Sequence, residues 1–243
     1  MITILRNEVR RFYGSLTGSL AMVVFLVVMG LFVWVFPETS VLNGGFANLD
    51  VFFGLAPYVL IFLVPAVTMR SLAEEYGAGT IEVLATRPVS NGAILWGKYL
   101  GALVLVFATL LLSLVYLASV WWLALPTGAI DGGGLVGSYI GLFLLAAAFT
   151  AIGLFSSSIT SNAIVAFLVG VFLCFFAFIA FDYLAKLGAF FGRIDYLIER
   201  IGMEAHYRSI SRGVIDTRDV VYFGTVIAGF LLATSISLTQ RTR

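Results

Sequence analysis

Apolar and polar positions along this chain fall into long blocks rather than short periods. Six nearly uninterrupted apolar runs lie at roughly 18–36, 51–69, 94–124, 136–156, 163–184 and 220–239, and most of the charge is gathered between them. Each run is long enough to cross about 30 Å of hydrocarbon as an α-helix. The runs are continuous and do not alternate as barrel strands do, so the helix is the spanning form they predict. The expected fold is an all-α polytopic membrane protein, one domain over residues 1–243, with no repeat, linker or low-complexity segment. Pro57 and Pro65 stand inside the second run and predict a bent or partly unwound helix there. The third run exceeds the bilayer and should tilt or project near Lys98, whose ammonium is expected to snorkel to the surface.

Outside the runs the period shortens to that of an amphipathic helix. Ile2, Leu5, Val9, Phe12 and Leu16 recur at three- and four-residue spacing, with Arg6 and Arg10 on the other side. That pattern predicts an in-plane helix over 2–16, its apolar stripe in lipid and its arginines at the headgroups. In the connection 185–219, Leu187, Phe191, Ile194, Leu197 or Ile198, and Ile201 keep a helical stripe. Gly188, Gly192 and Gly202 divide it into shorter amphipathic pieces. Asp216 and Asp219 flank Thr217, a capping signal for the last run.

The segment 70–92 is the densest polar interruption in the first half of the chain. Glu74, Glu75 and Tyr76 end a helix that leaves the second run, and Gly77 and Gly79 break it. Thr80 can cap a short helix, Ile81 to Thr86, with Glu82 in its first turn and Arg87 at its end, both signs suited to the helix dipole. Pro88 stops that helix, and Ser90 or Asn91 can start the next. The predicted shape is helix, Gly break, short helix, Pro break, helix.

Composition narrows the function classes. Hydrophobic residues make up 61% of the chain and charged residues 11%, with a net charge of +1, so no basic footprint for nucleic acid is present. The single cysteine, Cys174, allows neither an internal disulfide nor a thiolate metal site. Residues Met1 to Tyr13 do not read as a cleavable signal. Arginine and lysine mark one side of the membrane: Arg6, Arg10 and Arg11 precede the first run, Arg70, Arg87 and Lys98 surround 70–92, and Arg241 and Arg243 follow the last run. The connections 37–50 and 126–134 hold Glu38, Asp50 and Asp131 but no cation. The positive-inside rule puts both termini and 70–92 in the cytoplasm.

Several chemical motifs fail on inspection. Gly92 to Lys98 has the spacing of a phosphate-binding loop. Tyr99, however, stands where Ser or Thr must reach magnesium, and no strand precedes it. His206 is the only histidine and has no second ligand of its kind, so it reads as a surface hydrogen-bonding residue. Ser156, Ser157 and Ser158, read as the turn between the fourth and fifth runs, lack a nucleophile elbow. Asp182 can pair with Lys186 one turn on, but the runs otherwise lack the paired ionisable groups of an ion-coupled carrier.

The residues Glu74-Glu75, Gly79-Thr80-Ile81-Glu82-x-Leu84 and Pro88-Val89-Ser90 resemble the coupling-helix region of type 2 ABC export permeases, and the six runs with an N-terminal in-plane helix fit that family along the chain. The stretch from His206 through Ser209, Arg212, Gly213, Val214, Ile215, Asp216, Arg218, Asp219 and Val220 to Tyr222 is similar to gliding-motility permeases of the GldF kind. The resemblance implies a non-catalytic subunit in a bacterial cytoplasmic (inner) membrane, with no cofactor of its own. ATP and magnesium would be bound by a separate, GldA-like ATPase subunit. A second permease half, GldG-like or a copy of this chain, would complete the transporter. Glu74, Glu75, Thr80, Ile81, Glu82, Leu84 and Arg87 would then meet the ATPase. His206, Arg212, Asp216, Arg218 and Asp219 would form an extracytoplasmic gate or partner site. The implied activity is ATP-driven export, or transmission of ATPase motion as mechanical work. The contrasting reading is an ATP-independent scaffold or secondary carrier.

Overall fold

A chain in hydrocarbon must satisfy its backbone N–H and C=O groups within itself, and the apolar runs do so as helices. The computed structural model describes residues 2–14, 16–43, 47–79, 90–124, 131–186 and 193–241, among which there is no strand. Among the described residues, six units are long and apolar enough to cross a membrane: Gly18–Val35, Asp50–Gly77, Asn91–Leu123, Gly132–Ser158, Ala163–Ala185 and Thr217–Arg241, here spans one to six. Four shorter helices carry the argument that follows. They are α1 (Ile2–Gly14), α2 (Arg70–Gly77, the end of span two), α3 (Arg193–Ile201) and α4 (Met203–Ser211). Thr80, Ile81, Glu82, Leu84 and Arg87 lie outside the described residues, as do Leu187 and Phe191 of the proposed outer stripe.

Spans two and four form the core and are buried over most of their length, while the other four are buried over a third or less. Phe52, Leu60 and Val64 share one buried cluster with Leu145, Phe149, Ile152 and Cys174. The outer helices expose large apolar side chains such as Val27, Val115, Trp122, Phe172 and Leu232, the pattern of a surface solvated by lipid tails.

Breaks in the spans have local causes. Span two runs as unbroken α-helix through Pro57 and Pro65, so it is not unwound at either proline; it gives way only at Met69. At Pro57 the reason is visible. The missing proline N–H would leave the Phe53 carbonyl without a donor, and the Tyr207 hydroxyl of α4 donates to it at 2.8 Å. Span three turns at Ser113. Spans one and five each contain a π-helical turn, Leu31–Val35 and Phe176–Ala180.

Helix α1 differs from the sequence expectation. It packs along the start of span three rather than turning its whole stripe to lipid. Gly97 and Gly101, one helical turn apart, form the track. A Cβ at Gly97 would stand 2.7 Å from Ile4, and one at Gly101 2.6 Å from the Glu8 side chain. Small residues at this spacing let two helices approach closely, and here they bring a carboxylate into the interior.

Candidate functional site

The Lys98 side chain is 1% exposed. Its ammonium does not snorkel; it turns inward, and the phosphate-loop spacing around it is the first turns of a helix capped by Ser90. Nζ donates to Glu8 Oε1 at 2.9 Å, to Glu75 Oε1 at 2.6 Å and to the Ser71 carbonyl at 2.7 Å. An ammonium has three N–H donors, and all three are used. The acceptors come from α1 and α2, the donor from span three, so one buried point joins three helices. Removing one member of such a buried charge group leaves the rest uncompensated, which costs about 3–5 kcal/mol.

Around this junction the contacts are more exposed. Glu74 lies between Arg11 of α1 at 2.5 Å and Arg70 at 3.3 Å; these pairs are half in solvent and contribute little each. The Arg241 guanidinium of span six covers the Tyr76 ring at 4.7 Å. Glu74 and Glu75 thus engage this chain's own helices, Glu75 almost completely.

The break at Met69 is completed from span four. Ser156, Ser157 and Ser158 are not a turn but the buried last turn of that span. Ser157 Oγ accepts from the N–H groups of Leu72 and Ala73, each at 3.0 Å, and donates to the Met69 carbonyl at 2.9 Å. A helix start leaves its first N–H groups without intrahelical partners, and Ser157 serves as the cap that α2 lacks in its own sequence. Close by, Gly153 admits Thr68 so tightly that a Cβ there would overlap its hydroxyl.

A second polar cluster lies at the opposite ends of the spans. Asp182, buried in span five, takes Lys186 at 2.5 Å and Arg208 of α4 at 3.5 Å, and Arg208 also pairs with Glu204. The hydrogen bond that Lys186 donates to Asp182 holds its ammonium above the usual lysine value. Burial pushes the Tyr207 phenol up. His206 Nδ1 meets Asp219 Oδ1 at 2.6 Å, while Asp216 caps span six by accepting from the Arg218 N–H at 2.9 Å. Of the five outer candidates, His206 and Asp219 are therefore brought together. Arg218 is on the exposed side of the span start. Arg212 stands apart from both, in the wall of a cavity of about 300 Å³ shared with Phe53, Tyr58, Phe178 and Glu204.

Sequence reasoning missed Glu8, Ser71, Ser157 and Tyr207. Two signals were present: Glu8 is the one charge on the apolar stripe of α1, and Gly97 and Gly101 repeat at i,i+4. The profile described as "ABC-2 family transporter protein" matches residues 36–187, more than half of the chain. No curated protein matches it.

Proposed function

The chain belongs to the ABC-2 family of transporter proteins, and from that premise we propose that it is a permease half driven by a separate ATPase subunit bound at segment 70–92. As a member of that family it is a multi-pass membrane subunit of an ABC transporter. The arginine distribution supports a cytoplasmic position for 70–92 and both termini, where an ATPase is available. The observation that carries the reading is the Lys98 junction. Motion delivered to 70–92 reaches α2, and α2 is fastened through Glu75 and Lys98 to span three and through Glu8 to α1. Thr80, Ile81, Glu82, Leu84 and Arg87 are proposed as the ATPase contact, with Glu74 and Glu75 passing the motion inward. The GldF-like stretch from His206 to Tyr222 supports a role of the gliding-motility type, with a GldA-like ATPase and a GldG-like second half. The output is export of a cargo or mechanical work on an extracytoplasmic partner.

A native pull-down from membranes, followed by mass spectrometry, tests this. An ABC ATPase should co-purify, Glu82→Arg should abolish its capture, and Lys98→Met should retain it. Robust ATP hydrolysis by the chain alone, or no ATPase bound to it, overturns the reading. Cargo movement in reconstituted vesicles supports export, and ATP turnover without it supports mechanical work.

A further inference from the structure

We propose that His206 and Asp219 form a proton-binding site that clamps α3 and α4 to the start of span six. Both ring nitrogens of His206 face acceptors: Nδ1 lies 2.6 Å from Asp219 Oδ1, and Nε2 lies 2.9 Å from the Arg200 carbonyl. A neutral imidazole carries one N–H. It can donate to the carboxylate or to the carbonyl, and the other contact then sets a lone pair against an oxygen. The observed geometry needs one more proton than a neutral ring and a carboxylate hold between them, and on the ring it gives each oxygen a donor.

Three features favour that extra proton. Arg200 and Ile201 end α3, and the last carbonyls of a helix are unsatisfied and carry partial negative charge. The ring thus sits between a helix C-terminus and a carboxylate, and both attract a cation. Asp219 is 6% exposed, and its Oδ2 is buried with no hydrogen-bond partner among the described residues, so an uncompensated charge there is costly. Tyr222 holds the ring from its face, 3.8 Å between centroids, and donates its hydroxyl to the Ile201 carbonyl at 2.5 Å. Span six thus reaches both terminal carbonyls of α3, one through His206 and one through Tyr222.

Several of the other charges on these elements are engaged elsewhere. On α4, Glu204 and Arg208 pair with each other and Arg208 with Asp182 of span five, which also holds Lys186. On α3, the Arg200 guanidinium lies over the Tyr196 ring. On span six, Asp216 caps the helix. Glu199 and Arg218 make no hydrogen bond or ion pair with His206 or Asp219 among the described residues.

Loss of the proton opens the clamp. Helix α4 also supplies the Tyr207 hydroxyl to span two and Arg208 to span five, so the state of the clamp decides whether span six moves with those spans. On the proposed orientation, which this last step rests on, the proton comes from the side opposite the ATPase.

His206 is the only histidine, so the full chain labelled with ¹⁵N in its histidine ring, held in lipid nanodiscs, reports the site without assignment. Spectra are taken between about pH 5 and 8, alongside backbone hydrogen exchange over residues 199–222. Two protonated, hydrogen-bonded ring nitrogens are expected in the closed state, with exchange rising about tenfold or more as the second proton leaves. Asp219→Asn should give a singly protonated ring and the fast exchange at a pH where the parent is still closed. A singly protonated ring across the whole range in the parent chain, or deprotonation that leaves exchange unchanged, overturns the proposal. The parent titration needs no substitution and no ATPase, so its failure leaves the permease reading standing.

Discussion

At Lys98 a residue's surroundings reverse the meaning of its position. A lysine at the start of an apolar run reads as a snorkelling cation because its neighbours in sequence offer only lipid and water. Its partners, Glu8 and Glu75, lie 90 and 23 residues away. No local period reports such a distance, and the Gly97–Gly101 track that admits Glu8 is legible only once α1 is known to pack there. Lys98→Met should lower stability by about 3–5 kcal/mol, since two carboxylates then face each other without a counter-charge; denaturant titration of the purified chain measures it. Protection can be read as well. The chain has two lysines, of which Lys186 is exposed and Lys98 is not. An amine-reactive reagent followed by mass spectrometry should modify Lys186 and leave Lys98 untouched. In Gly101→Val, where the new side chain displaces α1, Lys98 should become reactive.

Elements here are held by repairs to each other's backbones. Pro57 removes a donor from span two, and Tyr207 of α4 replaces it on the Phe53 carbonyl. The two residues are therefore coupled energetically. Tyr207→Phe should cost about 1–3 kcal/mol, the penalty of an unsatisfied buried carbonyl. The loss should shrink in a Pro57→Ala background, where the restored N–H reaches Phe53; a double-mutant cycle on thermal denaturation tests this. A cycle with no coupling would show that the hydroxyl does not serve that carbonyl. Proline predicted interruption from sequence, correctly as far as the lost hydrogen bond goes. The compensating hydroxyl, 154 residues away, was invisible to it. By contrast, the end of α2 was legible, because Gly77 and Gly79 lie where the helix stops and Gly79 has a φ of +65°.

On the scale of the whole molecule, six spans and their all-helical character follow from hydrophobic length alone, since a bilayer permits little else. The core was less legible. Spans two and four are no more apolar than span five, and only packing reveals which are central. The two polar clusters sit at opposite ends of the bundle, near the ends of span two. One fastens α1, α2 and span three; the other fastens α3, α4, span five and span six. Charge is thus concentrated where the membrane ends, and the interior between the clusters is apolar. Cysteine pairs that lock α1 to span three should block any ATP-dependent response at α4 if motion passes through the bundle as one body. Fluorescence from a probe on α4 reads the response, and a signal that survives the lock would separate α1 from the transmission path.

The break at Met69 sets which movement is easiest. Ser157 stitches it with three hydrogen bonds that belong to span four. Tilting α2 by itself about Met69 severs the two from Leu72 and Ala73 together, whereas carrying span four along severs none. Span two therefore lacks a free elbow: its degree of freedom at the membrane edge is shared with its neighbour. A push on α2 becomes a joint displacement of the two central helices, so a stroke that begins on one loop is spread across the bundle's axis before it reaches the far side.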